Sequence, residues 1–576
     1  MIVYRAAKQT FSTAPLIARL EAGLSRCLQS LHADHDFVRE LLIDAGELEA
    51  GLTDALCVNE DAVSALSQRL RQISLALGHS LYLSWFRRVD EAREWLKNAN
   101  NGLAELSCSE LPTTITISPP EGYAYYGLYP EMYLAAAQQF AQAVHPAQAV
   151  VIGLRSIGTS LSAVVAATLE QSGIATRSFT VRPRGHPFER QLIIAQSLLN
   201  EWQSVPRAHF LIVDEGPGLS GSSFAATAWR LAAIGISNDR IILMPSWEPD
   251  GTQFVSERAR QQWPKHRRFT ASFEQVWIDS GRLFAAWPRG NWRELSGGRW
   301  RELFEPDETN YPAVHPQHER RKFLGQSSDE PGLWLKFAGL GRYGRKLQTR
   351  AEILAEAGFA PRVVGLKDGF LAFEFVNGQP LSLAQARPLL RQSIAPYLAF
   401  RQRNFPAAAG VSADELKEMI RLNVAEGLGE AWAAKLPDLT AMPGTNQTAI
   451  TAVDARMQPH EWLRAGERLI KTDGLDHGDD HFLPGGQDIA WDLAGACVEL
   501  MADRAEREAL TSHYRRLTGD DATERLPFFM LAYLAARLGY VTLAATTLGD
   551  SPDAARFARL ARRYAEQLRR EISLCR

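Results

Sequence analysis

His209-Phe-Leu-Ile-Val-Asp-Glu-Gly-Pro-Gly-Leu-Ser-Gly-Ser-Ser-Phe224 runs from five strand-like residues into two adjacent acids, a loop of small residues, and a helical stretch over 222–233. Each part has a physical use. A loop without bulky side chains lets backbone N–H groups close on a phosphate, and the helix that follows adds its positive N-terminal end. Gly218, Ser220, Gly221, Ser222 and Ser223 supply that loop, the serines with hydroxyl donors. Asp214 and Glu215, at the carboxyl end of the strand, can accept ribose hydroxyls or hold Mg²⁺ and its water.

The same alternation continues outward. Ala149–Leu154, 176–182 and Ile241–Met244 read as further strands, while 159–171 and 188–202 read as helices, with Gly173 and Gly235 as stops. Strands alternating with helices predict right-handed crossovers and a parallel sheet covered on both faces. A second loop, Arg155-Ser-Ile-Gly-Thr159, leaves the 149–154 strand toward the same edge, where ligands of such sheets bind. Arg182, Arg184 and Arg190 lie in a basic loop that either reaches a diphosphate or is simply solvated.

Residues 115–250 resemble the type I phosphoribosyltransferases in these two loops. The resemblance implies phosphoribosyl diphosphate as substrate, Mg²⁺ as cofactor, Asp214 and Glu215 in the catalytic role, and Arg155, Ser156, Gly158 and Thr159 as the diphosphate loop. The sequence departs from the commonest pattern in two places. The second acid is Glu, and Gly218-Leu-Ser-Gly221 replaces the usual Thr-Thr-Gly run.

A second constellation begins at Leu333-Trp-Leu-Lys336-Phe337, a strand with a central lysine, followed by a helix carrying Glu352. A strand lysine paired with a helix glutamate is how kinases fix ATP phosphates. With Phe370-Leu-Ala-Phe-Glu-Phe-Val-Asn-Gly-Gln-Pro380 after it, this order resembles the aminoglycoside phosphotransferase and choline kinase group. That resemblance implies ATP bound by Lys336 and Glu352, Asp454 as base, and Asp473 as Mg²⁺ ligand. The family's His-Gly-Asp is here Ala452-Val-Asp454, and its metal-binding Asn falls at Pro459, so His460 or Glu461 would substitute. A rival register with Asp479 as base leaves too little chain before the Trp491-Asp-Leu-Ala494 helix. The run Asp476-His-Gly-Asp-Asp-His481 is either a metal site or a polar loop.

Elsewhere the sequence is plainer. Residues 13–100 read as helical, and Val63, Leu66, Leu70, Ile73 and Leu77 share one helix face. Leu111-Pro and Pro119-Pro120 mark a boundary. The stretch 246–310, rich in Trp, Arg, Pro and Gly, is either a nucleic-acid surface or an irregular linker packed between domains. The expected architecture is multidomain α/β: a helical region (1–112), a parallel α/β sheet of phosphoribosyltransferase type (113–250), a linker (251–317), and a two-lobed kinase-like α+β domain (318–576).

Lys and Arg total 63 against 66 Asp and Glu, so no overall basic field exists to hold nucleic acid or an anionic membrane. The apolar runs fall far short of the roughly 20 residues of a membrane span. Five scattered cysteines without a Cys-x-x-Cys pair point to a reducing compartment, and the N-terminus lacks an export signal, so a cytoplasmic protein is expected. Taken together the two resemblances imply a bifunctional transferase whose acceptors are a nucleobase, nucleoside or sugar phosphate. Phosphoribosyltransferases often pair, so a homodimer is one oligomeric option. The alternative is a catalytically reduced regulator or stress-system protein that senses phosphoribosyl compounds and ATP.

Overall fold

A computed structural model of the chain describes all residues except 4–7, 31–33, 108, 289, 328–329, 444–448, 477–481 and 576. The 477–481 part of the Asp476–His481 run therefore lies outside the described residues. Strand β1 (Gln9–Ser12) pairs antiparallel with β2 (Thr114–Ile117), and between them run α1 (Thr13–Gln29), α2 (His35–Leu56), α3 (Ala65–Trp85) and α4 (Val89–Ser107). Ser64 and Ser67 form a reciprocal capping box that starts α3, whose Leu70, Ile73 and Leu77 are buried. Helix α2 is unusual in being buried continuously from Val38 to Thr53, charged residues included.

Next come α5 (Pro130–Val144), β3 (Gln148–Leu154), α6 (Ile157–Gln171), β4 (Ala175–Val181), α7 (Gln196–Gln203), β5 (His209–Val213), α8 (Ser222–Ala233), β6 (Ile241–Met244), α9 (Glu257–Gln262) and β7 (Arg267–Arg268). The five strands form one parallel sheet in the order β4-β3-β5-β6-β7. The sheet is as the alternation predicts, and it takes in Arg267–Arg268, beyond residue 250. The helix expected over 188–202 starts only at Gln196. Before it, the backbone of Asp61 bonds to Ile193 O and Ala195 N, drawing the chain out alongside the α2–α3 connection.

The remaining chain forms α10 (Arg282–Ala285), β8 (Asn291–Glu294), β9 (Lys322–Gln326), β10 (Leu333–Phe337), α11 (Arg342–Glu356), β11 (Val363–Lys367) and β12 (Phe370–Glu374), with an antiparallel sheet ordered β11-β12-β10-β9-β8. A three-stranded sheet of β13 (Gln379–Pro380), β14 (Trp462–Ala465) and β15 (Arg468–Lys471) follows. Around it pack α12 (Leu383–Ala386), α13 (Ala395–Asn404), α14 (Ala413–Leu428), α15 (Glu430–Ala433), α16 (Ala490–Glu499), α17 (Arg504–Thr518), α18 (Leu526–Thr547) and α19 (Pro552–Leu574). Helix α18 is long and apolar enough to cross a membrane, which the short apolar runs had not suggested. Arg537 and Gly539 interrupt its apolar run, and most of the helix is buried in the C-terminal core.

Period-2 alternation makes the antiparallel sheet a shared wall. Leu333, Leu335, Phe337 and Phe370 join a core that also contains α2, α3 and one face of the parallel sheet, through Val151, Leu211 and Val213. Leu371 and Phe373 point into a second core, that of the C-terminal helices. The other face of the parallel sheet, with Val150, Ile152, Phe210 and Ile212, has a third. The 246–310 stretch packs between these layers, with Trp263, Trp277 and Trp287 buried.

Candidate functional site

In the parallel sheet, β3 lies between β4 and β5, so the crossover direction reverses between β3 and β5. Such a switch point opens a crevice at the strands' carboxyl ends. The two loops of interest leave β3 and β5 there and touch. A Cβ at Gly158 would lie 2.6 Å from Val213 O and 3.3 Å from Asp214 Oδ1, so only glycine allows the approach. Ser156 adopts φ 128°, ψ −117°, a conformation that costs a non-glycine residue on the order of 1–3 kcal/mol and gathers at ligand sites.

Asp214 and Glu215 are half-buried at the end of β5. Asp214 Oδ1 accepts the Glu215 amide at 2.9 Å, and Tyr133 donates to Asp214 O at 2.6 Å. Burial pushes the Asp214 carboxyl up to about 7 against the pull of Arg182 and Arg190. Burial, with repulsion from Asp214 and Glu121, pushes Glu215 up to about 8. A cation placed beside them would favour their charged forms and bring both values back down. Gly218 is exposed, and Gly221, at φ 62°, turns the chain into α8. The Ser220 and Ser222 hydroxyls lie 3.0 Å apart, and Ser222 Oγ donates to Pro187 O at 2.5 Å. Ser223 is half-buried in the first turn of α8, while Thr159 is fully buried in α6.

The arginines expected on a diphosphate are engaged elsewhere. Arg155 Nε donates to Asp54 Oδ1 at 2.6 Å, and its Nη2 pairs with Asp61. Arg182 pairs with Asp54, and Arg184 reaches Asp61 at 3.1 Å. Asp54 lies in the last turn of α2 and Asp61 follows the helix, so two acids of the helical region pair with all three guanidiniums. Only long-range folding brings those acids here, and no local signal in the sequence marks them. Arg190 donates to Pro183 O at 3.1 Å and, among the described residues, pairs with no carboxylate.

The second site is a cavity of about 530 Å³ between the antiparallel sheet and the C-terminal helices. Lys336 reaches it from β10, with Nζ paired to Asp473 and 2.9 Å from Asp476 Oδ1. The expected Lys336–Glu352 pair is not made. Glu352 sits on the exposed face of α11 and bonds Gln348, because α11 buries Leu347, Arg350, Ala351 and Leu354 instead. Asp454, expected as base, is fully buried and does not line the cavity. Tyr397 donates to its Oδ2 at 2.6 Å, Lys471 Nζ lies 3.4 Å from Oδ1, and its backbone N donates to Asp492.

Glu461 is held by Lys471 at 2.6 Å, and the His460 ring stacks toward Trp300 with centroids 6.1 Å apart. Among the described residues no three His, Cys, Asp or Glu side chains gather as a metal site, so Asp473, His460 and Glu461 are not a preassembled one. A nucleotide-bound Mg²⁺ takes most of its ligands from phosphates and water, so the cavity-lining Asp473 still suits it.

No family model matches the chain, and no curated protein matches it. Solved structures give a partial likeness. Choline kinase LicA from Streptococcus pneumoniae is 14% identical, with a TM-score of 0.32, over 50% of this chain and 98% of its own. The apoenzyme of macrolide 2′-phosphotransferase MphH from Brachybacterium faecium is 17% identical, with a TM-score of 0.30, over 47% and 95%. A choline/ethanolamine kinase family protein from Mesorhizobium loti is 18% identical, with a TM-score of 0.27, over 43% and 89%.

Proposed function

We propose that the chain is a two-site transferase: an ATP-dependent phosphotransferase acting on a small molecule in the C-terminal cavity, and a binder of phosphoribosyl diphosphate at the Asp214–Ser223 loop. The observation that carries the first part is the meeting of Lys336 and Asp473 on the cavity wall. A lysine for nucleotide phosphates and a carboxylate for Mg²⁺ must stand within reach of both, and their mutual pairing keeps each charge compensated until a nucleotide separates them. The second part is supported by the switch-point placement of the two loops, the raised acid pair, and the strained Ser156. Asp214 and Glu215 would hold Mg²⁺, which would supply positive charge to the ligand's phosphates. Two steps on one chain would share a phosphorylated ribose intermediate.

Purified protein with Mg²⁺ and ATP, screened against pooled sugars, nucleosides and their phosphates, should release ADP, and Lys336→Ala or Asp473→Ala should reduce turnover by about 100-fold or more. With phosphoribosyl diphosphate and pooled nucleobases, diphosphate release should depend on Asp214. A second reading, ligand binding without turnover, is favoured by the full burial of Asp454. Calorimetric binding of both ligands with no product from either pool would select it.

A further inference from the structure

The cavity has a far end, formed by α18, α19 and the segment around 300–318. There a single carboxylate serves two guanidiniums. Arg563 Nη2 donates to Glu499 Oε2 at 2.5 Å, and Arg537 Nε lies 3.6 Å from Oε1. The same Oε1 accepts the hydroxyls of Tyr533 at 3.0 Å and Tyr564 at 2.6 Å. Glu499 is fully buried and Arg537 is only 6% exposed, yet among the described residues the other polar contacts of Arg537 are two long ones of 3.4 Å to the Tyr564 hydroxyl.

Among the described residues, one negative charge against two positive leaves the buried Arg537 incompletely compensated, while Arg563 is half-exposed. Such a charge is costly unless something anionic completes it. Guanidiniums are the protein groups that meet phosphate or carboxylate through paired N–H bonds. The rest of the lining has the same sign, with six Lys and Arg side chains against four carboxylates. Tyr311, Tyr540 and Phe557 give this end flat apolar surfaces against which a ring can rest.

We propose that the far end of the cavity binds the anionic group, phosphate or carboxylate, of the molecule to be phosphorylated. Arg537 and Arg563 grip it, and Glu499 with its two tyrosines fixes their orientation. A cationic amine is disfavoured there by the same charges. The inference rests on the phosphotransfer reading and adds the substrate class: an anionic, hydroxyl-bearing compound such as a sugar phosphate. A reaction that releases a phosphorylated ribose would supply it.

The test uses the full chain, an unreactive ATP analogue, and three probes: ribose 5-phosphate, ribose and choline. By calorimetry ribose 5-phosphate should bind at least about tenfold more tightly than ribose or choline. Arg563→Gln, at a half-exposed position where the fold tolerates change, should weaken ribose 5-phosphate about tenfold and leave the ATP analogue within about twofold. Arg563→Lys, with the charge but not the fork, should fall between. Because the Asp214 loop is a second phosphate site, only binding that responds to Arg563 counts for the cavity. Ribose 5-phosphate binding that is absent or indifferent to Arg563→Gln, or tighter binding of choline, overturns the proposal. Failure of the wild type to bind the ATP analogue overturns the phosphotransfer reading instead.

Discussion

Asp214 and Glu215 keep their protons well above the ordinary carboxylate range, up to about 7 and about 8. The folded chain therefore holds protons that the unfolded chain has already released. The stability this contributes is complete below about pH 4, where both states are protonated, and is lost as pH climbs through the folded values. Asp214→Asn should remove Asp214's share of that slope, gaining on the order of 2 kcal/mol at pH 8 and little at pH 4. Melting curves across pH that stay parallel for the two proteins would contradict it. At the other site, a Cβ on Gly474 would collide with the Tyr397 hydroxyl and stand 3.0 Å from Asp454 Oδ2. Gly474→Ala should cost roughly 1–3 kcal/mol by overpacking, measured by denaturant unfolding. The strand end before Asp214 and the helix start at Ser222 were legible because their pattern is contiguous. The partner of Lys336 was not, because a helix's buried face is decided by packing, which turned Glu352 to solvent.

Among the elements, α2 carries the most long-range consequence. Its Asp54, with the following Asp61, holds Arg155, Arg182 and Arg184, while its Glu40, Asp44 and Glu47 pair with Arg345 and Arg342 of α11. Removing one member of a buried pair costs about 3–5 kcal/mol, since the other is left charged. Asp61→Asn should approach that loss and raise amide exchange over 182–184, where its carboxylate accepts the Arg182 N–H at 2.7 Å and pairs with Arg184. Exchange confined to α2 would disprove that role. Strands 149–154, 209–213 and 241–244 were readable from local apolar runs, and α6 and α8 from the loops before them and the glycines, Gly173 and Gly235, that close them. The 188–195 segment was not, because its conformation is set by a stretch more than a hundred residues earlier in the chain.

For the whole molecule, a core that runs from the helical region through the parallel sheet to the antiparallel sheet predicts cooperative behaviour across the expected boundaries. Residues 1–250 alone would lack Leu335, Phe337 and Phe370 from that core, and should be insoluble or show the ANS binding of a loosened fold. A sharp, reversible melt of that fragment would argue against it. This level was the least legible in the sequence, since composition and punctuation report where chain segments change character but not which apolar faces meet. The doubly covered antiparallel sheet also limits what evolution or an engineer can do with the gene. A crossover that carried residues 291–576 into a new host would transplant an oily slab stripped of its lid, so the two halves must be inherited, and redesigned, as a pair.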